Sequence, residues 1–347
     1  MPPADRTRPL GDGPVDVLIV RGARIDPIDG WGGEDVADQV LRVLRDAGLA
    51  GAIASVSSPR DIAELTAPRL VTLPNSRRFV DELGERHSLQ RLLGRRGLPF
   101  VGSTAEGHAA RSKSHMKRVL AEHGLPTPRW TLVEDLQRID VGLRFPLVVK
   151  PEGASESVGV SRVDDAQGLD ATLRALALDG SLPALVEEWA LQREFTVAVV
   201  GNGSERRGFA MEVMLPQGEQ FLSADVKLHT LAQTPAAVGD EAVRGALAQL
   251  AIRTCDAFGI LDMARVDILE DAAGRLVVID VNTFPGLRQT TEHISYFPFC
   301  LRYGCGFDYA QSVLAIFAAS LRRHGIELPP AIAEVSERLL ADDRASA

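Results

Sequence analysis

Lysine, cysteine, long apolar runs and surplus positive charge are all scarce in this chain of 347 residues, and each shortage removes a class of explanation. No stretch approaches the ~18 to 20 apolar residues needed to cross a bilayer, and the opening MPPADRTRPLGDGP has no apolar core of a secretory signal. A cytosolic protein is therefore expected. A net charge of -9 offers little attraction to a nucleic-acid backbone or an anionic membrane surface, so neither is expected as a partner. Cys255, Cys300 and Cys305 are an odd set without a CxxC pair, which argues against a disulfide framework or a zinc cluster and for buried thiols. No GxxxxGK followed by serine or threonine occurs, and no GxGxxG follows the first strand, so a Walker loop and a dinucleotide fingerprint are both missing. Lysine stands only at positions 113, 117, 150 and 227, leaving 34 of the 38 basic residues as arginine. A lysine retained against that bias marks a place that needs a compact ammonium rather than a planar fork.

What is present is a core-forming composition, 45% hydrophobic and 24% charged, enough for two or three domains. VDVLIVR at residues 15–21 reads as a buried strand, and Val36, Val40, Leu41 and Leu44 as one face of a helix ending near Gly48. Strands near Ile53 to Val56 and Leu70 to Leu73, a helix through Leu89, Leu92 and Leu93, and a strand at Phe100 and Val101 continue the alternation. That order predicts an N-terminal α/β domain with a mostly parallel sheet, residues 1–105. SKSHMKRVLAEHG predicts a helix closed by Gly124, and FPLVVK and SLPALVEEW predict strands of a small central α+β unit, residues 106–190. The third part, residues 191–347, starts strand-rich in FTVAVV and RGFAMEVML and turns helical from Asp240 to Phe258. It then forms a hairpin between Met263 and Asn282 and closes with a helix near Tyr309 to His324.

The hairpin carries the strongest chemistry. With Ala273 and Gly274 at the centre of its turn, Asp267 falls opposite Asp280 and Arg265 opposite Asn282. Side chains alternate along a strand, so these four share one face while Val266, Ile268, Ile279 and Val281 share the other. Two carboxylates placed opposite each other repel unless a cation lies between them, and hard oxygen donors suit Mg²⁺ or Mn²⁺. A solvated face in which Arg265 neutralises one aspartate is the alternative. The turn residues that follow, in NTFPGLRQTT, favour a ligand site, because glycine there lets backbone N–H groups approach a bound oxygen.

The run ARVDILEDAAGRLVVIDVNTFPGLRQTT resembles the C-terminal signature of the D-alanine:D-alanine ligase family of ATP-grasp enzymes, and the resemblance extends over roughly residues 84–325. It implies a three-domain ATP-grasp fold. It also implies that Asp267, Asp280 and Asn282 hold two Mg²⁺ (Mn²⁺ as a substitute) on the phosphates of ATP, with Arg265 and the Gly286 amide stabilising an oxyanion. The family usually has glutamate where Asp280 stands. Lys113, Lys150 and Lys227 fall where the family keeps two phosphate-contacting lysines and the lysine of a mobile loop. The loop PEGASESVGV, with Ser157, resembles the lid over ATP, and VEEWALQREFTV resembles the interdomain hinge. There Glu187, Glu188 and Ala190 would edge the adenine and Glu194 would hold the ribose.

Departures gather around the donor substrate. Glu156 stands in the lid loop where the family has serine, Leu228 follows the mobile-loop lysine where it has tyrosine, and the glutamate after the first strand has no clean counterpart beyond Asp29 or Glu34. Arg265 and Thr291, the latter in place of a serine, fit the carboxylate of an amino-acid acceptor. The expected activity is amide-bond formation through an acyl phosphate with release of ADP, by a homodimer acting on a small carboxylate and an amino acid, with a donor other than D-alanine. Two alternatives stay open: a genuine D-alanine:D-alanine ligase of cell-wall synthesis, and a nucleotide-binding regulatory protein without turnover. The intact set of Arg265, Asp267, Asp280, Asn282 and Gly286 argues against the last.

Overall fold

The computed structural model describes residues 15–24, 34–104, 112–137, 139, 141–153, 159–190, 192–214, 234–289 and 295–341. The N-terminal part opens with strand β1 (Val17–Gly22), helix α1 (Glu34–Asp46), β2 (Gly51–Val56), helix α2 (Pro59–Glu64) and β3 (Val71–Pro74). The three strands form a parallel sheet in the order β2-β1-β3. Val17, Leu18, Ile19 and Val20 are all buried, as an apolar run in a strand covered on both faces must be. On α1 the spacing of Val36, Val40 and Leu44 presents one apolar stripe to that sheet. A two-stranded ribbon, β4 (Arg78–Val80) with β5 (Arg86–Ser88), leads into helix α3 (Leu89–Arg95). The strand expected at Phe100 and Val101 is reduced to a single parallel bridge between Thr72 and Phe100. Pro99 on one side and Gly102, at φ +94°, on the other keep it from extending.

Four antiparallel strands make the central sheet, in the order β6 (Trp130–Val133), β9 (Ala184–Glu188), β7 (Leu147–Pro151) and β8 (Ser161–Val163). Helix α4 (Lys113–Glu122) precedes it, and helix α5 (Ala166–Leu178), which sequence patterning did not anticipate, covers it. The α5 signals are plain in hindsight. Asp165 caps the first turn by accepting from the Gly168 N–H at 2.8 Å, and Leu169, Leu173 and Leu176 pack on Leu147, Val149 and Val163.

The third part is a five-stranded sheet in the order β12 (Thr234–Ala237), β11 (Arg207–Met214), β10 (Arg193–Val200), β13 (Met263–Glu270) and β14 (Leu276–Asn282). Helix α6 (Glu241–Ala257) and the Met116–Leu120 stripe of α4 bury one face. Helices α7 (Tyr296–Cys305), α8 (Tyr309–Arg323) and α9 (Pro330–Leu340) bury part of the other. Helix α6 lies so close to β11 that a Cβ added at Gly208 would stand 2.9 Å from the Ala248 Cα. Gly208→Ala is therefore expected to cost about 1 to 3 kcal/mol of stability as an overpacked contact, visible as a lower urea midpoint. An unchanged midpoint would show that the helix yields freely.

The first and third parts share one core, in which Val17, Ile19 and Val36 continue into Phe297, Val313 and Phe317. Asp262, at φ 64° and fully buried, closes the seam. It accepts both Nε and a terminal N–H of Arg323 at 2.8 Å and the Gly102 N–H at 2.8 Å. All three cysteines are buried free thiols, and burial pushes Cys255 and Cys300 up to about 12. Among the described residues no helix is long and apolar enough to cross a membrane.

Candidate active site

Strands β10, β13 and β14 place two rows of side chains on the face that α7 partly covers. Register aligns Thr196, Asp267 and Asp280 in one row and Ala198, Arg265 and Asn282 in the next. The pairings expected at Asp267 and Arg265 are present, but they arise differently. The turn spans five residues, Asp271 to Arg275, with Asp271 accepting the Ala273 and Arg275 N–H groups at 2.9 Å. A bulge at Ile279 then restores the offset, so that Ile268 pairs with Val278 while Asp267 still pairs with Asp280. The expectation that Ile279 lies in the core is corrected by that bulge. Val278 takes its place there, fully buried.

Asp267 is 8% exposed and accepts three hydrogen bonds: from the Thr196 hydroxyl at 3.0 Å and from Arg265 through Nε at 3.0 Å and a terminal N–H at 2.9 Å. Burial opposes the Arg265 charge, yet the paired Asp267 carboxylate outweighs it and holds the guanidinium above its ordinary range. The same guanidinium lies over the Tyr296 ring, 5.7 Å from its centroid. Asp280 is exposed and accepts the Val281 N–H, and Asn282 turns its amide oxygen to the Phe284 N–H at 3.1 Å. Gly286 follows, half-buried, in the segment after β14. Among the described residues no three His, Cys, Asp or Glu side chains converge as a closed metal cage. Two carboxylates and an amide oxygen are instead the open donor set that suits Mg²⁺ when phosphate oxygens and water complete the octahedron.

Helix α4 carries two of the lysines. Its stripe of Met116 and Leu120 sits in the core under the five-stranded sheet, while Lys113 and Lys117, one turn apart, meet the central sheet. Lys113 donates to the Pro151 carbonyl at 2.8 Å. Burial holds its ammonium below the ordinary lysine range, and the strongest opposing charge is Asp280 of the hairpin. Glu152 anchors the start of α4 by accepting from Ser112 Oγ at 2.6 Å and from Ser114 N and Oγ at 3.0 and 2.7 Å. Lys150 near the end of β7 and Lys117 both form ion pairs with Glu187, which is 2% exposed. These two ammonium groups overcome the effect of burial and bring the Glu187 carboxyl down to about 2.

Glu187 and Glu188 project to opposite faces of β9. The Glu188 carboxylate pairs with Arg129 at 3.0 Å and accepts the Arg144 N–H at 3.1 Å. Ala190 is half-buried just beyond β9, and Glu194 is 9% exposed on β10, where its charge, after burial, helps hold the Tyr296 phenol above its ordinary range. The structure thus brings together Arg265, Asp267, Asp280 and Asn282 on one side and Lys113, Lys150 and Glu187 on the other. Lys227, Leu228, Ser157, Glu156, Thr291 and Asp29 lie outside the described residues, as does the Glu34 side chain. Sequence reasoning passed over Lys117, Glu152, Thr196 and Tyr296. Only Lys117 left a trace, as the fourth member of a rare residue type.

Residues 119–317 match the family model described as the D-ala D-ala ligase C-terminus. The D-alanine–D-alanine ligase of Stutzerimonas stutzeri is 38% identical over 250 residues, spanning 69% of this chain and 74% of that protein. D-alanine–D-alanine ligase B of Pseudomonas syringae pv. tomato is 34% identical over 296 residues, 82% of this chain and 87% of that one. In three dimensions, the D-alanine–D-alanine ligase of Bacillus anthracis solved with ATP matches at a TM-score of 0.69 and 19% identity, covering 90% of this chain and 99% of its own. The family match and these relatives, with Lys113 of α4 and Lys150 of β7 beside the acidic hairpin, define an ATP-grasp enzyme, an ADP-forming ligase of carbon–nitrogen bonds. Within that class the chain belongs to the D-alanine–D-alanine ligase family.

Proposed function

We propose that this enzyme joins the carboxylate of one amino acid to the amine of another, with ATP converted to ADP and phosphate. The observation that carries the reading is the Thr196–Asp267–Asp280 row with Asn282 beside it, facing a lysine cluster whose member Lys113 feels Asp280 as its strongest opposing charge. Asp267, Asp280 and Asn282 would hold two Mg²⁺, which supply charge neutralisation on the phosphates. Lys113 and Lys150 contribute compact positive charge at the same phosphates, and Glu187 keeps Lys150 oriented. Ser157 and Lys227 close over the nucleotide, with the hinge at Glu187, Glu188 and Ala190 beside the base and Glu194 beside the ribose.

The donor carboxylate attacks the γ-phosphate, and the acceptor amine then attacks the acyl phosphate. Arg265 and the Gly286 amide offset the oxyanion that forms, and one such donor is worth ~3 kcal/mol. Thr291 joins Arg265 on the acceptor carboxylate. D-alanine on both sides is the reading that the relatives' names support. A different donor is favoured by Leu228, which lacks a hydroxyl to share, and by Glu156 in the lid loop. The protein acts as a cytosolic homodimer on these small molecules, without nucleic acid.

The test is release of ADP with a panel of amino acids, singly and in pairs, and mass spectrometry of the products. D-alanine-dependent dipeptide formation selects the first donor. Turnover only with another amino acid selects the second, and absence of ATP-dependent turnover with any pair removes the proposal.

A further inference from the structure

Among the described residues Lys117 is the most buried cation, with no exposed surface, and its contacts are with Glu187 and Thr127 rather than with the hairpin carboxylates. Its ammonium pairs with Glu187 and donates to the Thr127 hydroxyl at 2.6 Å. Thr127 in turn donates to the Val278 carbonyl at 2.7 Å, and the Val278 N–H donates to the Pro126 carbonyl at 2.8 Å. Both backbone groups of Val278 are therefore held from outside its own sheet, at the residue immediately before the Ile279 bulge. Edge strands normally leave such groups to water. Here the edge is β14, and the bulge that it carries decides whether Asp280 projects beside Asp267 or turns over to the opposite face.

We propose that Lys117 and Thr127 are positioning residues that tie Glu187 to the β14 bulge and thereby set Asp280 against Asp267. The assignment rests on the metal and nucleotide site proposed above. One ammonium then couples the two halves of that site: Glu187, which orients Lys150, and the backbone that orients a metal-binding carboxylate. A lysine suits the task because its three donors radiate from one point and serve Glu187 and Thr127 together.

The test uses the full-length protein with Thr127→Val, which removes the hydroxyl at nearly the same size, and Thr127→Ser, which keeps it. Mn²⁺ is titrated into each protein holding a non-hydrolysable ATP analogue, and binding is read by electron paramagnetic resonance. Thermal unfolding confirms that each variant is folded. Thr127→Val is expected to weaken Mn²⁺ binding roughly tenfold, the low end of the loss caused by removing support from a metal ligand, because Thr127 reaches Asp280 only through the Val278 backbone. Thr127→Ser is expected to restore it. Hydrogen exchange at the amides of Ile279 and Asp280 is expected to quicken in the valine variant alone. A folded valine variant with unaltered Mn²⁺ affinity, beside a wild-type protein that binds Mn²⁺ and nucleotide, would overturn the positioning role by itself. Failure of the wild-type protein to bind Mn²⁺ with nucleotide would remove the proposed function and this role with it.

Discussion

Asp267→Asn is expected to leave the chain folded at 25 °C and to lower ATP-dependent turnover by on the order of a thousandfold, the scale of losing one preorganised electrostatic contact. The substitution changes charge and hardly changes shape. Asparagine can still accept from Thr196 at the position where the carboxylate now does, so the row across β10 and β13 keeps its packing. What disappears is the anion that a divalent cation needs and the partner that holds Arg265 in a fork of two hydrogen bonds. Arg265 keeps its place over the Tyr296 ring, so the cost in stability is expected to stay within about 1 to 3 kcal/mol. ADP release at saturating magnesium and ATP measures the first effect and urea unfolding the second. Near-normal turnover in a folded variant would contradict the assignment of Asp267 to the metal.

The second large effect concerns stability. Glu187→Gln removes the single anion between Lys117 and Lys150, and breaking a buried pair in this way is expected to cost about 3 to 5 kcal/mol. The wild-type protein should show the same interaction through its acid response. The Glu187 carboxyl is at about 2 in the folded chain against 4.5 as its ordinary value, so it binds a proton more readily when unfolded. Its contribution is therefore fully present above pH 4.5 and is lost as pH falls toward about 2. Urea midpoints at pH 7, 5 and 3 are expected to drop steeply for the wild-type protein over the last interval and less steeply for Glu187→Gln. Burial lowers the Lys117 ammonium, so the folded variant sheds a proton sooner than its unfolded chain as pH rises. The variant is accordingly expected to recover part of its deficit in alkaline solution. Parallel profiles for the two proteins across the acid range would exclude Glu187 as the counter-ion.

The hairpin shows what sequence can and cannot convey. Alternation along ARVDILE and LVVIDVN is enough to put Arg265, Asp267, Asp280 and Asn282 on one face, because the burial of Val266, Ile268 and Val281 leaves no other choice. The longer turn and the Ile279 bulge offset each other, so the site half of the register follows from the simpler turn while the core half does not. A bulge is fixed by what docks on the strand from elsewhere, here Pro126 and Thr127, more than 150 positions away from Val278 for the latter contact. Lys117 was hidden for the same reason. A lysine one turn after another on a helix reads as a solvated pair, and only Glu187, seventy positions later in the chain, takes it out of water. Helix α7 was obscured by Pro298, which is harmless in a first turn but argues against a helix when the start is unknown. Without α7 there was no means of placing Tyr296 over Arg265.

Helix α8 gives the family match an uneven footprint. The matched stretch ends at 317, inside the helix, while Leu321 beyond it is fully buried against a core that includes Val17, Ile19 and Val36. Arg323, further still, clasps Asp262 at the seam with Gly102. The catalytic half is consequently not a detachable module whose partner could be exchanged like a cartridge. Cut from the N-terminal sheet, α8 would turn Leu321 and the Arg323 clasp out to water, so each half is expected to be insoluble when expressed without the other.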